Sequence, residues 1–455
     1  MVATQATRKQ LGAWYTPDEL VDVVVGGVVD DLGPVLAELP PERALRVVDP
    51  ACGDGRLLAR FCDELARLGR TVEATGCDVD ATALASLPGT VRAIAADALT
   101  HDWADAAFDV VIGNPPFLSQ MAASTTRGGS SRHGGGPYAD AAAEFLALAV
   151  RLADPGHGRI GLILPQSVLA SRDAGPVREL VDRDADLAWS WWSPRQRHFD
   201  ADVHVCALGF RRPAVRPDPP PWTTVVTDRL GIPRLPLGEL RCDGVLADRA
   251  ELNANFRDEY YALVGAVDDD ADGPPLVTSG LIDPGRCHWG QRAVRFAKRD
   301  FAHPRIDLDR LEGRFGAWAE RKLVPKVLVA NQTRRIEAVA DHAGAWLPGV
   351  PVTTVTPAGP DAAGVGALAA VLTSPVASAF CWHLVAGTGL SATTIRVGPA
   401  VLGAVPWPSG DLGPAERALA DGDVLGCGVA VVAAFGLSDA DDLVDWWRGG
   451  LPDGR

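Results

Sequence analysis

Asn114-Pro115-Pro116-Phe117 closes the β-branched apolar run "FDVVIG". Two adjacent prolines remove two backbone donors and fix two φ angles, so the chain neither continues as a strand nor opens an ordinary helix there. The result is a rigid, donor-poor corner ending in an aromatic ring. Upstream, in "DPACGDGRLL" (Asp49 to Leu58), Gly53 and Gly55 let backbone approach a ligand closely, and the helix that follows offers its N-terminus to a negative group. A dinucleotide-binding turn carries a third glycine where this chain has Leu58, which argues against NAD or FAD. In "GCDVD", Asp78 stands at a strand end, where a carboxylate can accept both hydroxyls of a ribose, with Asp80 as a competitor. In "AAD", Asp97 can accept from the exocyclic amine of an adenine.

These residues need a sheet to bring them together. The first 210 residues or so alternate short β-type runs with amphipathic helical runs, the pattern of a parallel sheet with crossover helices. The predicted strands are "ALRVVD", "VEATGCD", "RAIAAD", "FDVVIG" and "GRIGLIL", with "DLAWSWW" and "VHVCALGFRR" as a final antiparallel pair. Between them, "LLARFCDELARLG" and "YADAAAEFLALAVRLAD" repeat apolar positions at helical intervals. "RRPAVRPDPPPW" (Arg211 to Trp222) is Pro-rich and charged, as a linker would be. The expected organisation is therefore a catalytic domain over 1–212, a linker over 213–221, a second domain over 222–410 and a helical extension over 411–455. The Gly/Ser-rich 123–137, directly after the corner, reads as a loop.

"DPACGDG", "GCDVD", "AAD" and "NPPF", in that order and preceded by "GAWYTPDELVD" (Gly12 to Asp22), resemble the DNA amino-methyltransferases. These S-adenosylmethionine-dependent enzymes methylate adenine N6 or cytosine N4. The Tyr-Thr-Pro element before the glycine turn is the arrangement of the gamma group. The resemblance covers about the first 210 residues closely and the rest more loosely. It implies an α/β fold: a Rossmann-like seven-stranded methyltransferase sheet with a C-terminal mixed α+β target-recognition domain. Thr16 and Pro17 would sit by the methionine carboxylate of S-adenosyl-L-methionine, with Asp49, Ala51, Gly53 and Gly55 lining the rest of that moiety. Asp78 would hold the ribose and Asp97 the adenine. Asn114 and the Pro115 carbonyl would accept from the target amine, Pro116 would stiffen the corner, and Phe117 would stack on the flipped base. Phe199, in "RHFDADVHVCALGF", would supply a second aromatic.

The physical reading agrees. The lone pair of an exocyclic amine is delocalised into the ring, so the amine is a poor nucleophile. Two acceptors on a rigid corner bind both N–H groups and favour a pyramidal nitrogen whose lone pair points at the methyl group. The chemistry needs neither a metal nor a covalent nucleophile. A stacked base must be extruded to reach the site, and an aromatic ring offsets part of the lost stacking.

The formal charge of −15 argues against a protein coated in phosphate-binding cations, but it hides a patch. Arg286 to Ala338 holds 13 Lys plus Arg against 6 Asp plus Glu, interleaved with Trp289, Phe296, Phe301, Phe315 and Trp318. "RKLVPKVLVANQTRR" and the segment from Leu368 to Pro408 resemble the closing units of gamma-group recognition domains. Lys326, Arg334, Arg335, Thr393, Thr394 and Arg396 are the expected DNA contacts there, chosen by charge and position. The eight cysteines fall singly, which suggests neither disulfides nor zinc. No signal-peptide core or long apolar run is visible, so the expectation is a cytoplasmic protein acting as a monomer on double-stranded DNA, without membrane attachment. With only about 11 residues before the Tyr-Thr-Pro element's segment, a restriction endonuclease or defence-system subunit would be a separate chain. Two other readings share the Asn-Pro-Pro-aromatic corner or the fold: methylation of release-factor glutamine or ribosomal RNA guanine, and a non-catalytic DNA-binding component. The Tyr-Thr-Pro element and large C-terminal module disfavour the first; the intact turn and corner disfavour the second.

Overall fold

A computed structural model of the chain describes residues 16–117, 132–136, 139–193, 199, 203–255 and 257–451. Most of the Gly/Ser-rich 123–137, and Gly12 to Tyr15 of the Tyr-Thr-Pro segment, lie outside them. The chain divides into two compact units, Met1–Val225 and Val226–Arg455.

The first unit is built on seven strands in the order β3-β2-β1-β4-β5-β7-β6. They are β1 (Leu45–Asp49), β2 (Val72–Asp78), β3 (Arg92–Ala95), β4 (Val110–Gly113), β5 (Arg159–Pro165), β6 (Asp186–Trp192) and β7 (Val205–Arg211). Neighbours from β3 to β5 pair in parallel, and β7 runs antiparallel to both β5 and β6. This is the Rossmann-like sheet expected, with the closing antiparallel pair where the sequence placed it. β4 and β5 are buried at every position, as strands covered on both faces must be. The helices are α1 (Asp18–Glu38), α2 (Arg56–Arg67), the single turn α3 (Ala81–Leu84), α4 (Ala141–Leu152) and α5 (Gly175–Asp184). Strand order reverses between β1 and β4, and the crevice at the carboxyl ends of such neighbours is where doubly wound sheets bind ligands.

The linker expected over 213–221 is instead anchored to this unit. The amides of Val215 and Arg216 donate to the buried Asp186 carboxylate at 2.9 and 3.3 Å. Just beyond, Trp222 packs on Phe210 at 5.3 Å between ring centroids and donates to Asp182. Proline richness is therefore compatible with an ordered strap once its remaining amides find acceptors.

In the second unit, Lys326–Ala330 lies between Ala338–Asp341 and Val352–Pro357, with Ala250–Ala254 on the far side of the latter, all antiparallel. The apolar helices Val365–Leu372 and Pro375–Val385 meet at a 60° bend and bury most of their residues in this unit. No single helix among the described residues is long and apolar enough to cross a membrane. The 411–455 segment is no appendage: Gly413–Ala420 and Val424–Ala434 pack on Val365–Leu372, and Asp441–Arg448 packs on Pro375–Val385. Mixed α and β structure is thus present, as expected.

Candidate active site

Four strand ends converge at the topological switch. β1 ends in Asp49, β2 in Asp78, β3 runs on to Asp97, and β4 runs into Asn114. The turn after β1 is tied down from both sides: the Cys52 amide donates to the Cys77 carbonyl and the Gly55 amide to Cys52. Gly53 and Gly55 both have positive φ, 53° and 77°. At Gly55 the requirement is double, because a Cβ would stand 2.0 Å from Leu87 Cδ2. At Gly53 a Cβ would meet nothing within 4 Å, so this face of the turn is open to a ligand.

Asp78 organises that turn as well as facing it. One carboxylate oxygen accepts from the Gly53 amide at 2.8 Å and the other from the Asp80 amide at 2.9 Å, leaving a lone pair on each for a ligand hydroxyl. Asp80, the competitor, caps α3 through one carboxylate oxygen, which accepts from the Thr82 and Ala83 amides. Asp97 is exposed and closes an Asx turn on the Leu99 amide. Asp49 is 2% exposed and accepts from the Ala51 amide at 3.0 Å. Burial, reinforced by the nearby Asp78 charge, pushes its carboxyl up to about 8. Gly113 is the residue that makes room for it, since a Cβ there would lie 3.1 Å from Asp49 Oδ1. Asp78 and Asp97 supply acceptors at the strand ends, while the buried Asp49 carboxyl beneath the turn is held largely neutral at neutral pH.

Asn114 is the decisive residue. Its Nδ2 donates to Thr16 Oγ1 at 3.0 Å, while its Oδ1 is buried with no hydrogen-bond partner among the described residues. No described residue donates to the Pro115 carbonyl either. The corner therefore holds two acceptors, one of them at the cost a buried unpaired oxygen carries, about 1–3 kcal/mol. Such a cost is relieved when a ligand donor completes the pair, which gives an unpaired acceptor a place in a binding site. Phe117 and Phe199, each 8% exposed, meet edge to face with centroids 5.8 Å apart. The structure thus brings both expected stacking rings to one place.

Thr16 and Pro17 stand at the start of α1, with the Pro17 carbonyl accepting from Leu20 and Val21. The hydroxyl of Thr16 is engaged by Asn114, a contact across 98 residues that no local pattern announces. Glu144 of α4 was also not singled out by sequence. Buried at 2%, it accepts from the amides of Arg132, His133 and Gly135 at 2.6–3.0 Å and so pins the far end of the Gly/Ser-rich segment.

The expected DNA contacts in the second unit divide. Lys326 is a correction: it is 0% exposed and bound to Asp341 at 2.6 Å and to the Val324 carbonyl, with burial holding its ammonium pKa below the usual range. A cation in that position cannot reach a phosphate. Arg335 is a second correction. Its guanidinium donates to the Trp446 and Trp447 carbonyls at the end of helix Asp441–Arg448 and lies 3.6 Å over the Trp446 ring. Burial brings its pKa down to about 10. Thr394 is engaged by Ser391 within its own turn, Thr393 is half-buried, and Arg334 and Arg396 are exposed. No group of three or more His, Cys, Asp or Glu side chains among the described residues is arranged to hold a metal.

The chain matches the N-6 DNA Methylase family over residues 2–184. It is 28% identical over 198 residues to the Type II methyltransferase M.TthHB8I of Thermus thermophilus, a match spanning 39% of this chain and 40% of that protein. Among solved structures, a class I S-adenosylmethionine-dependent methyltransferase of Listeria monocytogenes covers 47% of this chain and 67% of its own at 21% identity, with a TM-score of 0.37. The type I restriction-modification system methyltransferase subunit of Streptococcus thermophilus covers 44% and 45% at 20% identity, with a TM-score of 0.35. At these scores neither likeness bears on substrate, partner or mechanism. Residues 2–184, the stretch that matches the N-6 DNA Methylase family, carry the glycine turn, the strand-end carboxylates and the Asn114 corner.

Proposed function

We propose that this protein is a gamma-group DNA methyltransferase that transfers a methyl group from S-adenosyl-L-methionine to adenine N6 of a base flipped out of duplex DNA. The observation that carries the reading is the buried Oδ1 of Asn114 beside the Pro115 carbonyl, two acceptors for which no described residue supplies a donor. Two acceptors on a proline-stiffened corner match the two N–H groups of an exocyclic amine. S-adenosyl-L-methionine, when bound, supplies the electrophilic methyl group. Asp78 and Asp97 would hold its ribose and adenine, Asp49, Ala51, Gly53 and Gly55 would line its methionine end with Pro17, and Thr16, expected there from the sequence, would instead orient Asn114. Asn114 and Pro115 hold the target nitrogen with its lone pair directed along the transfer line. Phe117 and Phe199, now in contact with each other, would part to take the flipped base between or against them. Cytosine N4 presents the same pair of N–H groups and is the second substrate to test.

The second unit, Val226–Arg455, is proposed as the target-recognition module, with Arg334, Thr393 and Arg396 as the surviving contact residues from the sequence. The natural context would be restriction-modification or antiphage defence, with any endonuclease or defence subunit on a separate chain. The test is single-molecule sequencing of genomic DNA from a methylation-deficient host expressing this chain or its Asn114→Ala variant. Methyladenine at one short motif, absent with the variant, is expected. Unmodified DNA from well-expressed protein that binds the cofactor would refute duplex DNA as the substrate.

A further inference from the structure

Between Pro284 and Arg299 the chain carries five cations and no acid, in a protein whose net charge is −15. The end of this stretch folds into a hairpin, Val294–Phe296 paired with Arg299–Phe301. Its two-residue turn is Ala297-Lys298, with φ of 50° and 65°. Tight hairpins demand this left-handed geometry, and Asn-Gly normally supplies it. Ala and Lys adopt it against their steric preference, so the turn retains a side chain where glycine would be easier.

The hairpin is rooted firmly. Phe296 and Phe301 are 4% and 3% exposed, packed in a core cluster with Leu263 and Trp318. Arg299 lies over the Phe301 ring at 5.0 Å. Arg295 and Lys298, by contrast, are exposed and form no ion pair with any described residue, although Arg295 stands opposite Asp300 in the ladder. Three other cations of the basic region are committed to carboxylates: Arg292 to Asp283, Arg314 to Asp258 and Lys326 to Asp341. No large apolar side chain is exposed on the hairpin, whereas a protein-binding surface would need an aromatic or aliphatic anchor.

We propose that the hairpin Val294–Phe301 is a rigid probe for the phosphate backbone of duplex DNA, with Arg295 and Lys298 as its contact residues. This rests on the methyltransferase reading above and adds the element that grips the substrate. A two-stranded ribbon is narrow enough to enter a major groove, and a backbone already rooted by Phe296 and Phe301 leaves only the Arg295 and Lys298 side chains to be ordered on binding. The contacts position the duplex without reading sequence.

The test uses the full chain and a fluorescent duplex, with dissociation constants taken across a salt series. Replacing both Arg295→Gln and Lys298→Gln is expected to lower the slope of log affinity against log salt by about 2 and to weaken binding about tenfold at moderate salt, with cofactor affinity unchanged. Lys298→Gly separates function from folding: Tm should rise as the left-handed strain is relieved while DNA affinity falls. An unchanged salt slope in the double variant, or a Lys298→Gly protein that gains Tm and binds DNA as before, overturns the hairpin assignment even if the wild type methylates DNA. A wild type that neither binds nor methylates duplex DNA overturns the methyltransferase reading and the hairpin together, and tighter binding to structured RNA than to the duplex does the same.

Discussion

Thr16→Val isolates the hydroxyl that holds Asn114 while keeping the side-chain shape. In the structure, Thr16 Oγ1 accepts from the Asn114 amide nitrogen at 3.0 Å and thereby fixes which end of the amide is left as the unpaired acceptor. Without that partner the amide can flip and present N–H groups to the target's own N–H groups. A single neutral hydrogen bond contributes about 1 kcal/mol net, and up to ~3 kcal/mol where its loss leaves a buried donor unpaired. Those limits convert to about fivefold and about 150-fold in kcat. The prediction is a kcat loss in that range with S-adenosylmethionine affinity within about twofold of wild type, and near-full activity for Thr16→Ser. In an Asn114→Ala background, Thr16→Val should add almost nothing, because the pair acts as one unit. Single-turnover methylation and equilibrium cofactor binding read the two quantities apart. A variant that loses cofactor affinity and keeps kcat would refute the reasoning and return Thr16 to the methionine carboxylate.

Asp49 makes the unliganded protein pH-sensitive. Its folded pKa is raised to about 8 from an ordinary carboxylate value, so its neutral form favours folding at low pH and that advantage is lost as pH rises from about 4 through about 8. Urea unfolding of wild type should weaken across that window relative to Asp49→Asn; parallel profiles would contradict it. If a cationic ligand binds the ionised carboxylate, calorimetry in buffers of different ionisation enthalpy should detect proton release below pH 8. Lys326→Met should destabilise the second unit by up to about 3–5 kcal/mol by removing the cation from buried Asp341, which keeps the Ala345 and Trp346 amides as donors, while leaving the salt slope of DNA binding unchanged. A changed slope in folded protein would restore Lys326 as a phosphate contact. Gly55→Ala meets both a φ of 77° and Leu87, and should cost more than the about 1 kcal/mol of an ordinary glycine replacement, read as a fall in Tm with loss of cofactor binding.

What the sequence determined is what short stretches of chain decide for themselves. Strand and helix runs of the first unit, from "VEATGCD" to "DLAWSWW", follow from side-chain periodicity, and β2 and β6 occupy those residues. The Asn114 corner follows from two fixed φ angles, and the glycine turn from positive φ at Gly53 and Gly55. The strand-end position of Asp78 follows from where an apolar run stops. Tertiary structure alone decided the rest, because burial and long-range partners have no local signature. A cation count placed Lys326 and Arg335 on DNA, yet one is sealed against Asp341 and the other closes a helix more than a hundred residues away. Proline content suggested a free linker at 213–221, and Asp186 made it a strap. The freedom of Asn114 Oδ1 depends on Thr16, 98 residues earlier, and the raised pKa of Asp49 on its desolvation beneath the turn. Chemistry was thus legible as residue types in order; which atoms remain free to perform it was settled by packing.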